Sequence, residues 1–164
     1  MSKIIVGVVM GSDSDLPVME KCLSCLEDFG IGYEVRIISA HRTPEIAHEY
    51  ATTAKARGLK VIIAAAGMSA ALGGVLAANT TLPVVGVPMC SGPLSGMDAA
   101  LSTMQMPPGV PVGAMAIGGA YNAAVYAAAI LATSDKTLAG KLDDFKKQLA
   151  EKVAKKDTQL GNRQ

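Results

Sequence analysis

The chain has 164 residues and a formal net charge of +1. That length suits a single domain spanning 1–164 with a full core, and the charge balance points to neither nucleic acid nor an anionic membrane surface. Half of the residues are hydrophobic, yet aromatics make up 4% and tryptophan is absent, so alanine and glycine must carry much of the packing.

Lys3 to Met10 is a short Ile/Val-rich run that suits a strand buried on both faces. A helix is expected over Leu16–Phe29, stopped by Gly30. Tyr33–Ser39 reads as the second strand. Thr43–Arg57 reads as the second helix, entered through Thr43 as cap, Pro44 and Glu45, and ended by Gly58. The third strand is Leu59–Ala65, followed by a helix of small residues over Met68–Ala78. Leu82–Val87 and Val110–Ile117 are the fourth and fifth strands. Between them lie Ser91–Gly96, a short helix to Met104 and the Pro107-Pro108-Gly109 loop. An alanine-rich helix spans Tyr121–Thr133. The last helix, Lys136–Lys155, sets Leu138, Leu142, Phe145 and Leu149 at helical spacing, with a frayed tail over 157–164. Alternation of strand and helix predicts a parallel sheet with helices on both faces.

Charge is unevenly placed. Against 15 Lys and Arg and 14 Asp and Glu in the whole chain, only Asp98 lies between Val61 and Ser134. Val61–Ala78 is long enough to span a bilayer, but it is mostly small residues and has no flanking aromatic belt or basic cluster. The expectation is no membrane contact, and a middle region covered by other copies of the chain. Val6–Met10 is too short an apolar run for a secretory signal. Three cysteines, Cys22, Cys25 and Cys90, make no disulfide framework and fit a reducing cytoplasm. Cys22 and Cys25 have C-x-x-C spacing but fall inside the first helix rather than at its N-terminus, so packing is expected of them.

Three loops follow strands and should share one edge of the sheet, where open α/β sheets place ligands. In the first, Gly11 permits a tight turn, and Ser12, Asp13, Ser14 and Asp15 can either cap a helix or bind a phosphate and ribose hydroxyls. The second holds Ser39, His41 and Arg42. Arginine grips phosphate, and imidazole as a side-chain type exchanges protons near neutrality. His48, mid-helix among Glu45 and Glu49, reads as a surface residue. The third, Ala65 to Gly74, is built of small residues that let a ligand, or another helix, approach its backbone; Gly67 and Ser69 are its candidate contacts. No dinucleotide fingerprint, Walker lysine pattern or metal constellation is legible, so no cofactor and no metal is expected.

Met10-Gly-Ser-Asp-Ser-Asp15, Ser39-Ala-His-Arg-Thr-Pro44 and Gln105-Met-Pro-Pro-Gly-Val-Pro111, in this order and spacing, resemble one family over about Ile4 to Leu149. It is the purine-biosynthetic family of N5-carboxyaminoimidazole ribonucleotide mutases and aminoimidazole ribonucleotide carboxylases. The resemblance implies a three-layer flavodoxin-like α/β sandwich with a central parallel sheet, a single catalytic domain, and a cytoplasmic homo-octamer. It implies that His41 is the general acid–base, that Ser12, Asp15 and Arg42 bind the phosphoribosyl part of an aminoimidazole substrate, and that CO2 is handled in the same site; Gly11, Ser39, Gly67 and Ser69 of the three loops are the further substrate-binding candidates. The mutases usually carry Gly-Gly-Ala-Ala-His-Leu-Pro-Gly in the third loop, and here Ala71 stands at that histidine. Direct carboxylases also lack the histidine but usually have lysine at the place of Arg42. The two markers conflict, and the reading favours the mutase, with direct carboxylation as its alternative and a non-catalytic nucleotide-binding module as a minor one.

Overall fold

The computed structural model describes residues 3–161. Five strands, β1 (Ile4–Met10), β2 (Gly32–Ile37), β3 (Val61–Ala66), β4 (Val84–Pro88) and β5 (Gly113–Ala114), form one sheet in the order β2-β1-β3-β4-β5. Every neighbouring pair is parallel. Six helices connect and follow them: α1 (Leu16–Phe29), α2 (Pro44–Ala54), α3 (Leu72–Ala78), α4 (Met97–Met104), α5 (Ala120–Ala132) and α6 (Lys136–Gly161). This strand order is the flavodoxin-like one, and it reverses direction between β1 and β3.

Period-two alternation builds two cores on one sheet. Val6, Val8 and Met10 of β1, with Val61, Ile63 and Ala65 of β3, face α1, α5 and α6. Val9, Ile62 and Ala64 face α2 and α3. Burial on both faces explains why these strands read as unbroken apolar runs. Helix α5 is pressed in by alanines: Ala120, Ala123, Ala124, Ala127 and Ala128 are all fully buried. Cys22 and Cys25 are also buried in this layer. Burial drives their thiols up, to about 12 and about 11, so they are packing residues and poor nucleophiles.

Several boundaries differ from the sequence reading, each for a local reason. The fifth strand shrinks from Val110–Ile117 to Gly113–Ala114, because Pro111 lacks a donor and the Pro107–Gly109 turn delivers the chain late to the sheet edge. Helix α3 begins at Leu72 rather than Met68. Met68 sits at φ 54°, and the Ala70 and Ala71 N–H groups bond the carbonyls of Met68 and Ser69, two residues back. The Thr43 side chain does not cap α2; its oxygen accepts instead from the Ser39 N–H at 3.1 Å, and its hydroxyl donates to the Ser39 carbonyl at 2.9 Å. Helix α2 closes at Ala54, short of Arg57, in the turn that reaches Gly58. At the C-terminus α6 runs past Lys155 to Gly161, where Lys156, Gln159 and Leu160 favour helix and Asp157 and Thr158 do not break it; residues 162–164 of the expected tail lie outside the described chain.

Candidate active site

The carboxyl ends of β1, β2, β3 and β4 open onto one cleft of about 760 Å³. Gly11, Ser12, Asp15, Ser39, His41, Arg42, Gly67 and Ser69 all line it, so the structure brings every expected site residue together. Ser14 of the first loop and Met68 of the third line it too, and so does Ser91, which was not anticipated. The signal for Ser91 was its place: it follows β4, whose end shares the edge already singled out.

The β1 loop turns at once into a 3-10 turn, Asp13–Asp15. Ser12 caps this turn, accepting from the Ser14 N–H at 3.3 Å and from the Ser14 hydroxyl at 2.9 Å. Its own hydroxyl donates to Asp13 Oδ1 at 3.1 Å. Capping therefore accounts for Ser12 and Asp13 but not for Asp15, whose carboxyl makes no capping bond to α1. Asp15 is nonetheless 8% exposed. Burial holds its carboxyl above the ordinary value of 3.8, against a lowering hydrogen bond from the Ser12 backbone. A buried acid at the rim of a cleft, held by the Ser12 main chain and not spent on capping α1, is the kind of group kept for a ligand.

The β2 loop is a tight knot around Ser39. The Ser39 carbonyl accepts from the Thr43 N–H at 2.8 Å, and the Ser39 N–H donates to Thr43 Oγ1 at 3.1 Å. Ser39 Oγ accepts from both the Arg42 N–H and Nε, each at 3.2 Å. Arg42 Nη2 donates onward to the Gly11 carbonyl at 3.1 Å. The guanidinium thus ties the β2 loop to the β1 loop, and its remaining donors are free for an anion. Ser39 acts through Arg42 by fixing its orientation. His41 stands between these two residues in sequence, exposed in the cleft, with no hydrogen-bond partner among the described residues. His48, by contrast, is outside the cleft and bonds Asn79 Oδ1 through Nδ1 at 2.8 Å.

The β3 loop supplies the floor. Met68 is in the left-handed region with its side chain 58% exposed, a strained placement of the kind found at ligand sites. A Cβ on Gly67 would overlap Ser91 Oγ, so glycine here leaves the room in which that hydroxyl sits. Among the described residues no group of three or more His, Cys, Asp and Glu is placed to hold a metal ion.

Residues 5–152 match the profile of the AIR carboxylase family. The chain belongs to that family. Among relatives of the AIR carboxylase family, the N5-carboxyaminoimidazole ribonucleotide mutase of Pyrococcus abyssi is 54% identical over 144 residues, covering 88% of this chain and 83% of the relative. The protein of the same name from Bacillus subtilis is 49% identical over 158 residues, covering 95% and 98%. In three dimensions the chain is similar to Treponema denticola PurE, with a TM-score of 0.86 at 32% identity and coverage of 95% and 98%.

Proposed function

We propose that this protein is an isomerase of purine biosynthesis, converting N5-carboxyaminoimidazole ribonucleotide to 4-carboxy-5-aminoimidazole ribonucleotide in one catalytic domain. The observation that carries this is His41: an unpartnered imidazole beside an arginine already oriented for an anion, in the cleft at the carboxyl edge of the sheet. The mutase names of the relatives favour carboxylate migration over direct carboxylation.

The reaction follows from these parts. Arg42 and the Ser12–Asp15 turn hold the phosphoribosyl group, with Asp15 accepting from ribose hydroxyls. The imidazolium of His41 gives its proton to the exocyclic nitrogen, and the nitrogen–carboxyl bond breaks to release CO2. Ring carbon 4, enamine-like, attacks that CO2 and forms the new carbon–carbon bond. The neutral imidazole then removes the proton from carbon 4, restoring the aromatic ring and its own starting state. Exclusion of water and retention of CO2 fall to the apolar groups of the β3 loop that line the cleft, Gly67 and Met68.

The same reading makes the protein a cytoplasmic homo-oligomer, an octamer. Supporting it, Leu94, Met97, Leu101 and Met104 on and before α4 are each about half exposed or more, within the stretch almost free of charge. No helix of the described residues is long and apolar enough to cross a membrane. The functional reading is tested by supplying the N-carboxylated ribonucleotide and following the 4-carboxy product: the protein should accelerate its formation. Ligand binding without turnover would assign the cleft to a nucleotide-binding module instead.

A further inference from the structure

We propose that Ser91 is a substrate-contacting residue that grips the migrating carboxylate, an assignment that rests on the isomerase reading above. Three observations carry it. The first is place. The sheet order puts the loop after β4 at the far side of the cleft from the loop after β2, with the ends of β1 and β3 between them. Three strand spacings of about 4.8 Å separate those walls by roughly 14 Å, enough for a small heterocycle to lie between their side chains. His41 stands on one wall and Ser91 on the other, over the Gly67–Ser69 main chain.

The second is how the hydroxyl is held. Ser91 Oγ occupies the space that a Cβ on Gly67 would fill, and a Cβ on Gly92 would come within 3.6 Å of Met68 Cγ. The β3 and β4 loops therefore interlock at two successive points, and the Ser91 side chain is seated on main chain rather than swinging in solvent. The third is its freedom to bond. Ser12, Ser14 and Ser39 all use their hydroxyl oxygens within their own loops, and Ser69, the other uncommitted cleft serine, is exposed. Ser91 Oγ is half-buried, lines the cleft, and has no hydrogen-bond partner among the described residues. A fixed, uncommitted hydroxyl opposite the acid–base group suits an oxygen of the carboxylate, both while it is on nitrogen and after it reaches carbon 4. Serine donates one proton there and, being neutral at all working pH values, does not compete with His41 for the proton that moves.

The test separates the carboxylate from the rest of the ligand. Binding of 4-carboxy-5-aminoimidazole ribonucleotide and of aminoimidazole ribonucleotide, which lacks the carboxylate, is measured by calorimetry for the wild-type protein and Ser91→Ala. Loss of one hydrogen bond to a charged group should weaken the carboxylated ligand about 10- to 100-fold, leaving the other ligand within about twofold. Gly67→Ala, which pushes the hydroxyl off its seat, should reproduce the selective loss, and adding it to Ser91→Ala should cost the carboxylated ligand little more. Equal weakening of both ligands, or of neither, would overturn the assignment. A wild-type protein that binds both ligands but performs no conversion would instead refute the isomerase reading while leaving the binding comparison intact.

Discussion

Arg42→Ala isolates the anion-binding half of the site. The side chain is exposed, and its two intramolecular bonds, to Ser39 Oγ at 3.2 Å and the Gly11 carbonyl at 3.1 Å, are to acceptors that water can reach once it is gone. The fold should therefore lose no more than about 0.5 kcal/mol. The ligand should lose far more: a hydrogen bond to a charged group contributes about 1.5–3 kcal/mol, or roughly 10- to 150-fold in Kd. Arg42→Lys should fall between the two, since an ammonium keeps the charge but neither the fork nor the tie to Ser39. Calorimetric titration with the ribonucleotide and with its dephosphorylated ribonucleoside gives the comparison. Wild-type protein should prefer the phosphorylated form, more so at low salt, and Arg42→Ala should lose most of that preference. Unchanged ribonucleotide affinity, or an equal loss for the ribonucleoside, would refute the phosphate role.

His41→Asn keeps polarity and removes the proton carrier, so steady-state turnover should fall by at least about 100-fold with ribonucleotide affinity retained; substantial residual turnover would remove the acid–base assignment. Asp15→Asn addresses a buried charge whose folded pKa is raised. Across the window that begins at 3.8 and extends upward, the folded chain holds a proton the unfolded chain has released, so stability falls as pH rises through it. The variant should thus melt higher than wild type at pH 7, with the gap closing as the pH drops below that window, while ribonucleotide binding weakens. An equal or lower melting temperature at pH 7 would contradict the burial argument. Light scattering should give a mass several times that of one chain, eightfold for the octamer, and Leu101→Asp should lower it; a monomeric wild type would contradict the reading of the α4 surface.

Much of this site was legible because strand ends in an alternating α/β chain fall on one edge. The pattern Ser39–Pro44 marks a strand end and a helix start, which is enough to place His41 and Arg42 in a loop there. Details set by tertiary contact were not legible. Thr43 has the composition of a cap, but its oxygen accepts from the Ser39 N–H instead of from a helix N–H. The stretch from Met68 to Ala71 fits a helix by propensity, yet Met68 is left-handed and the chain turns tightly before α3 begins at Leu72. Val110–Ile117 has strand composition, but at the sheet edge the prolines leave only Gly113 and Ala114 paired with β4. Ser91 has no sequence signal of its own; only the closeness of the β3 and β4 ends makes it part of the cleft.

The central claim is that one carboxylate moves within a closed site. Supplying carboxyl-labelled N5-carboxyaminoimidazole ribonucleotide with unlabelled bicarbonate, and isolating the 4-carboxy product at early times, tests it directly. The account predicts that most of the label is retained at carbon 4. Product that carries the unlabelled carbon, or that forms only from aminoimidazole ribonucleotide and added bicarbonate while the carbamate goes unused, would contradict it.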